Sequence, residues 1–244
     1  MHSVLVTGGS RGLGLAIAKT LARAGYRVVA IARSESAPLT AAMRDVRAAG
    51  TGGLHFHPFD LERVDDLPQL VKEVYRNFGP LYGLVNNAGI GTGGLLAVMP
   101  DAAIERLLRL NLLSPLTLTK YVVRSMMVSG GSRIINVASI VGSHGYKGLS
   151  VYSSTKAALL GFTHSLAREL GPLEITVNAV APGFVDTELT HGMLNAQRQQ
   201  VVKRSALRRL ADPDDVADAV TFLMSGKAKN ITGTVLTVDA GNTA

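Results

Sequence analysis

The stretch Ser3-Val4-Leu5-Val6-Thr7-Gly8-Gly9-Ser10-Arg11-Gly12-Leu13-Gly14 decides the fold. Its first half is a short run apolar on both faces, as in a strand buried in a parallel sheet. Its second half is a glycine turn that leads directly into helical periodicity. Glycines allow the backbone to turn tightly and to approach a ligand closely. The helix that follows offers free N–H groups and a partial positive charge, a natural seat for a pyrophosphate. Glycine spacing alone is weak, but the strand–turn–helix context makes the reading specific. Gly8, Ser10, Arg11, Gly12, Leu13 and Gly14 are therefore expected to cradle a dinucleotide.

The same alternation runs along the chain. Strands are expected over Arg27–Ala32, Leu54–Phe59, Leu81–Asn86, Arg133–Ala138, Ile175–Val180 and Thr234–Val238. Between them, helical patterns cover Leu13–Ala24, Leu39–Ala49, Val64–Phe78, Ile104–Met127, Tyr152–Leu170 and Pro213–Met224, the last capped by Asp212 with Pro213 in its first turn. Such alternation predicts a single α/β domain over 1–244: a doubly wound Rossmann fold with a mainly parallel, seven-stranded sheet covered by helices on both faces. Length and a 47% hydrophobic content suit one well-buried core, and no linker, repeat or low-complexity tract divides the chain.

Composition narrows the functions. The chain has no cysteine, which removes disulfides, thiolate nucleophiles and cysteine-bound metal. Its six histidines show no metal-ligand spacing. A serine nucleophile elbow and a phosphate-binding loop ending in Gly-Lys-Ser/Thr are both absent, against hydrolysis and phosphoryl transfer. The net charge of +7 is scattered, with no basic arm or interleaved aromatics, so nucleic acid is not an expected partner. No signal-like start and no apolar run of membrane-spanning length is seen, so a soluble cytoplasmic protein is expected.

Cofactor choice is read at the end of the second strand. An acidic residue there would hold a free ribose 2′-hydroxyl, and a cation would pair with a 2′-phosphate. The sequence is Ala30-Ile31-Ala32-Arg33-Ser34, with Arg33 able to grip the phosphate and Arg11 approaching from the glycine loop, which favours NADP(H). Asp60-Leu61, after the third strand, is placed to flank the adenine. Asn86-Asn87-Ala88-Gly89 ends the fourth strand, where small residues admit a ring or ribose and the amides can tie strands together. Tyr152 and Lys156, four residues apart, share a helix face, and Ser139 ends the strand before them. These three can surround one carbonyl oxygen: Ser139 polarises it, Tyr152 transfers a proton, and Lys156, together with an oxidised nicotinamide, favours the phenolate and can also grip the nicotinamide ribose. Asn111 is placed to hold a water linking Lys156 to bulk protons.

Taken together, these motifs resemble the short-chain dehydrogenase/reductase family over essentially the whole chain. The glycine pattern falls on Thr7, Gly8, Gly12 and Gly14, the strand-four motif on Asn86-Asn87-Ala88-Gly89, and the tetrad on Asn111, Ser139, Tyr152 and Lys156. Pro182-Gly183, then Val185 and Thr187, match the segment that meets the nicotinamide carboxamide. Within the family, the stretches 133–142, 175–184 and 231–236 are most similar to 3-oxoacyl-[acyl-carrier-protein] reductases. That likeness implies NADPH-dependent reduction of a β-ketoacyl thioester, a short lid over 187–209, a homotetramer, and an acyl carrier protein met by Arg124 and Arg168. Reduction of another ketone, polyol, sugar or hydroxysteroid is the alternative, and a non-catalytic NADP-sensing or scaffold protein a third reading. Departures from the pattern are Gly91-Thr92-Gly93-Gly94, Ser143-His144-Gly145-Tyr146-Lys147 and Asp239-Ala240-Gly241.

Overall fold

In the computed structural model, which describes residues 1–185 and 195–244, seven strands form one all-parallel sheet. They are β1 (Ser3–Thr7), β2 (Arg27–Ala32), β3 (Gly53–Pro58), β4 (Leu81–Asn86), β5 (Arg133–Val137), β6 (Thr176–Pro182) and β7 (Val235–Val238). Their order in the sheet is β3-β2-β1-β4-β5-β6-β7. The chain winds outward from β1 in one direction, then returns to its other side at β4. This places the topological switch point, and the crevice where such folds bind ligands, at the carboxyl ends of β1 and β4.

Alternating strand residues feed two cores. Val4, Val6, Val28, Ala30 and Val85 face the layer built by α1 (Gly12–Arg23), α2 (Ala37–Ala49) and the late helix over Pro213–Met224. Leu5, Val29, Ile31, Leu84 and Ile134 face the layer of α3 (Leu67–Phe78), α5 (Ser114–Ser129) and α6 (Ser150–Leu170). Because both faces are covered, every residue of β1 and β5 is buried. The late helix has its expected start: the Asp215 carboxylate accepts the Asp212 N–H at 2.8 Å, with Pro213 in the first turn.

The structure corrects the sequence reading in two places. The helix expected over Ile104–Met127 is not continuous. Its α4 (Asp101–Leu108) joins α5 through a π-helical turn at Arg109–Leu113, and this turn carries Asn111 inward. A wider turn of this kind rotates the following side chains and is common at functional sites. The second addition is α7 (Asn195–Arg204), a helix within the expected lid; the late helix over Pro213–Met224 is then α8. Thr187 and the first part of that lid lie outside the described residues.

Candidate active site

The cradle at the end of β1 is built from glycine for steric reasons that can be read atom by atom. Gly8 and Gly12 have φ of +68° and +52°, a region side chains disfavour. A Cβ on Gly9 would lie 2.7 Å from the Ala30 Cβ, and one on Gly14 would overlap the Gly8 carbonyl and the Asn87 amide. Gly12, by contrast, faces open space on the ligand side. The turn is fixed by Gly8 N–H donating to the Ile31 carbonyl at 2.8 Å, so the loop is held by β2 as well as β1. Arg11 stands at the N-cap of α1. At the end of β2, Arg33 and Ser34 are exposed, and Ser36 caps α2 while donating to the Ser10 carbonyl, joining the two anion-facing segments. These features fit a dinucleotide whose 2′-phosphate meets the Arg33 side.

Beside the cradle, Thr7 ties β1 to β4. Its hydroxyl accepts the N–H groups of Asn87 (2.9 Å) and Ala88 (3.0 Å) and donates to the Val85 carbonyl. The Asn87 amide donates to the Thr7 carbonyl at 2.8 Å. Asn86 donates to Asn136 Oδ1 and Thr119 Oγ1, both at 2.9 Å, and Asn136 donates to Thr163. The asparagine side chains thereby tie the neighbouring strands together. Leu61 turns its side chain into the core beneath the sheet, leaving only its backbone for adenine, and Asp60 accepts the Glu62 N–H.

The catalytic candidates converge at the ends of β4 and β5. Lys156 is 5% exposed, donates to the Val137 carbonyl at 2.9 Å and stands 5.8 Å from the Tyr152 ring centre. Burial without a carboxylate partner depresses its pKa to about 8. Tyr152 is raised above the ordinary phenol value, because burial outweighs the opposing hydrogen bond from Ser139. The expected lowering involves an oxidised nicotinamide as well as Lys156, whereas the raised value belongs to the protein alone. In the protein alone both groups are desolvated, each is pushed toward its neutral form, and Tyr152 is held as a protonated donor.

Asn111 is bonded to two neighbouring segments. Its Oδ1 accepts the Ile90 N–H (2.9 Å), and its Nδ2 donates to the Ile90 carbonyl (2.8 Å) and to Thr155 Oγ1 (3.3 Å). These bonds pin the loop after β4 to α6. Gly89 makes this possible, since a Cβ there would press on Asn111 Oδ1 at 3.2 Å and approach Lys156 Nζ at 3.7 Å.

On the far side of the crevice, Pro182 ends β6. Gly183 packs where a Cβ would come within 2.5 Å of the Asp239 Cβ. Val185 bridges to Ala211 with its side chain buried. The departure at Asp239 has a local reason: its carboxylate accepts the N–H groups of Gly241 (2.8 Å) and Thr243 (2.9 Å), closing the C-terminal turn. Two contacts lay beyond sequence reading: the bonds of the Thr7 hydroxyl to the loop after β4, and those of Tyr146 to the C-terminal segment. Tyr146 donates to Asn242 Oδ1 at 3.2 Å and meets the Phe184 ring edge-on, a contact between segments distant in sequence. Among the described residues, no cluster of potential metal ligands and no helix long and apolar enough to cross a membrane occurs.

Comparison with known proteins agrees with this geometry. Residues 8–243 match the family described as "Enoyl-(Acyl carrier protein) reductase". The 3-oxoacyl-[acyl-carrier-protein] reductase FabG of Escherichia coli is 40% identical over 237 residues, covering 97% of this chain and 95% of that protein. Its Staphylococcus epidermidis counterpart is 36% identical over 239 residues, covering 98% of each chain. Among solved structures, a mutant short-chain dehydrogenase/reductase from Serratia marcescens superposes with a TM-score of 0.93 at 34% identity, covering 100% of this chain and 98% of that one. With its parallel sheet, glycine cradle and Ser139–Tyr152–Lys156 constellation, the chain belongs to the short-chain dehydrogenase/reductase family.

Proposed function

We propose that this protein is an NADPH-dependent reductase that converts a β-ketoacyl thioester to the β-hydroxyacyl thioester. The observation that carries the reaction type is the Ser139–Tyr152 hydrogen bond beside buried Lys156, whose Nζ lies 5.8 Å from the Tyr152 ring centre. The substrate class is supported by the names of the relatives with 36–40% identity. The family description, which names an enoyl reductase, supports a second reading in which a C=C bond is reduced. Two hydroxyl donors side by side favour the ketone, because they stabilise an oxyanion on the carbon that accepts hydride. In an enoyl thioester that carbon bears no oxygen. Reduction of other ketones would use the same constellation.

The glycine turn from Gly8 to Gly14 seats the pyrophosphate, Arg33 with Ser34 and Arg11 takes the 2′-phosphate, and Asp60 with the Leu61 backbone borders the adenine. Ala88, Gly89, Pro182, Gly183 and Val185 flank the nicotinamide end. When bound, the cofactor supplies hydride. Ser139 holds the ketone oxygen, Tyr152 gives it the proton, and Lys156 fixes the ribose and restores the charge balance around the phenol. Asn111 acts as a positioning residue through Ile90 and Thr155. We further propose that Arg124 and Arg168 help meet an acyl carrier protein and that the chain works as a cytoplasmic homotetramer. Leu108 and Leu113, 41% and 47% exposed beside Asn111, offer an apolar face for pairing.

Two measurements test the site. Arg33→Ser is expected to weaken NADPH about 10- to 100-fold, the loss of a charge-assisted hydrogen-bonded pair, and to leave NADH nearly unchanged. Equal weakening of both cofactors would remove Arg33 from 2′-phosphate recognition. In the pH profile of kcat/KM for NADPH, Lys156 is an ammonium below about 8. Because its pKa is lowered, the competent charged form is lost as pH rises, so the profile is flat at neutrality and falls above about 8. A fall centred near the ordinary lysine value would contradict the burial argument. Identification of the product as the β-hydroxyacyl thioester tests the reaction itself.

A further inference from the structure

We infer that Thr40 is a positioning residue for the cofactor site: its hydroxyl holds the Glu35 carboxylate back on α2, away from the 2′-phosphate. This rests on the reading above that Arg33 grips that phosphate. The segment after β2 carries charges of both signs, Arg33 and, two residues on, Glu35, and both side chains are exposed. A carboxylate after the second strand suits a free ribose 2′-hydroxyl and repels a 2′-phosphate. Left to swing freely, Glu35 would oppose Arg33 at the same position. Among the described residues neither of the two enters an ion pair, so the charge of Glu35 is not cancelled by Arg33.

What restrains Glu35 is a specific bond. Thr40 Oγ1 donates to Glu35 Oε1 at 2.6 Å, a length typical of a hydroxyl bonded to a charged carboxylate, and also reaches the Ser36 carbonyl at 3.1 Å. The Thr40 N–H donates to that same carbonyl at 2.9 Å, which fixes the hydroxyl on the helix. Glu35 precedes the cap and Thr40 follows the first turn, so the bonded carboxylate lies along the start of α2, where the helix dipole favours negative charge. The backbone between the two charged residues and the helix is anchored as well. Ser36 Oγ accepts the Leu39 N–H at 3.2 Å and donates to the Ser10 carbonyl, tying the segment to the glycine loop. With the backbone held, the side-chain torsions of Glu35 decide which side its charge takes, and Thr40 is the side chain bonded to it.

The test is a double-variant cycle read by cofactor binding, with NADPH and NADH titrated separately by fluorescence and no turnover involved. Thr40→Val keeps the branched shape and removes the hydroxyl. It is expected to weaken NADPH about five- to tenfold, the effect of one freed like charge beside a phosphate at an exposed site, and to leave NADH unchanged or tighter. Thr40→Ala, which removes the hydroxyl without β-branching, should do the same. Glu35→Gln should bind NADPH at least as well as wild type, and Thr40→Val/Glu35→Gln should match Glu35→Gln. Measured against wild type at the same salt, the Thr40→Val loss should shrink below about twofold at 1 M, where charges are screened within about 3 Å; a loss of packing would persist. Unchanged NADPH binding in both Thr40 variants, a loss shared by NADH, or an undiminished loss in the double variant would overturn the assignment. Arg33→Ser separates this inference from the reading beneath it. If Arg33→Ser weakens NADPH and the Thr40 variants do not, only the role of Thr40 falls. If Arg33→Ser leaves NADPH untouched, the 2′-phosphate is held elsewhere and both fall.

Discussion

Tyr152→Phe is expected to lower kcat about a thousandfold while NADPH binds nearly as before. The substitution removes one oxygen and keeps the ring beside Lys156, so packing is retained and the proton donor is lost. General-acid contributions of roughly 100- to 10,000-fold set the scale. The raised pKa of Tyr152 makes the argument directional: across the working range the phenol carries its proton, as reduction requires. Stopped-flow measurement of NADPH binding, alongside steady-state turnover, separates the two effects. Retention of a tenth or more of wild-type kcat would remove Tyr152 as donor.

The second large effect is at Gly14. In an ordinary helix, glycine to alanine stabilises by about 1 kcal/mol. Here the added methyl would overlap the Gly8 carbonyl and Asn87 Nδ2, both backbone or tightly bonded groups. The overlap outweighs the propensity gain, and relief requires the glycine loop to move. Gly14→Ala is expected to raise the NADPH dissociation constant at least a hundredfold or to prevent folding. Gly12→Ala is the contrast: it meets no atom within 4 Å and has only its φ of +52° to resist it. It should fold, lose roughly 1–2 kcal/mol of stability and retain more cofactor affinity. If Gly14→Ala binds NADPH as tightly as Gly12→Ala, close packing of the loop against β4 is not what shapes the cradle.

The fold was largely legible because its strands are apolar on both faces and its helices have apolar stripes. β1, β2, β4 and α8 begin and end where the sequence pattern places them. α7 escaped because Asn195–Arg204 is polar almost throughout, so its sequence carries no apolar stripe at helical spacing. The π-helical turn escaped for a different reason. One extra residue in the ladder does not alter composition, yet it decides that Asn111 faces Ile90 and Thr155. Residue types and spacing made Ser139, Tyr152 and Lys156 visible as a group. The direction of the Tyr152 shift was not visible, because it depends on how much water burial removes from the phenol and the ammonium together.

The most direct test of the central claim is the initial rate of NADPH oxidation by the purified protein with acetoacetyl thioester, with NADH, crotonyl thioester and simple ketones in parallel. The account predicts turnover of the β-ketoacyl thioester with a clear preference for NADPH and formation of the β-hydroxy product. Reduction of the crotonyl double bond or of a simple ketone alone, with the acetoacetyl thioester untouched, would contradict it.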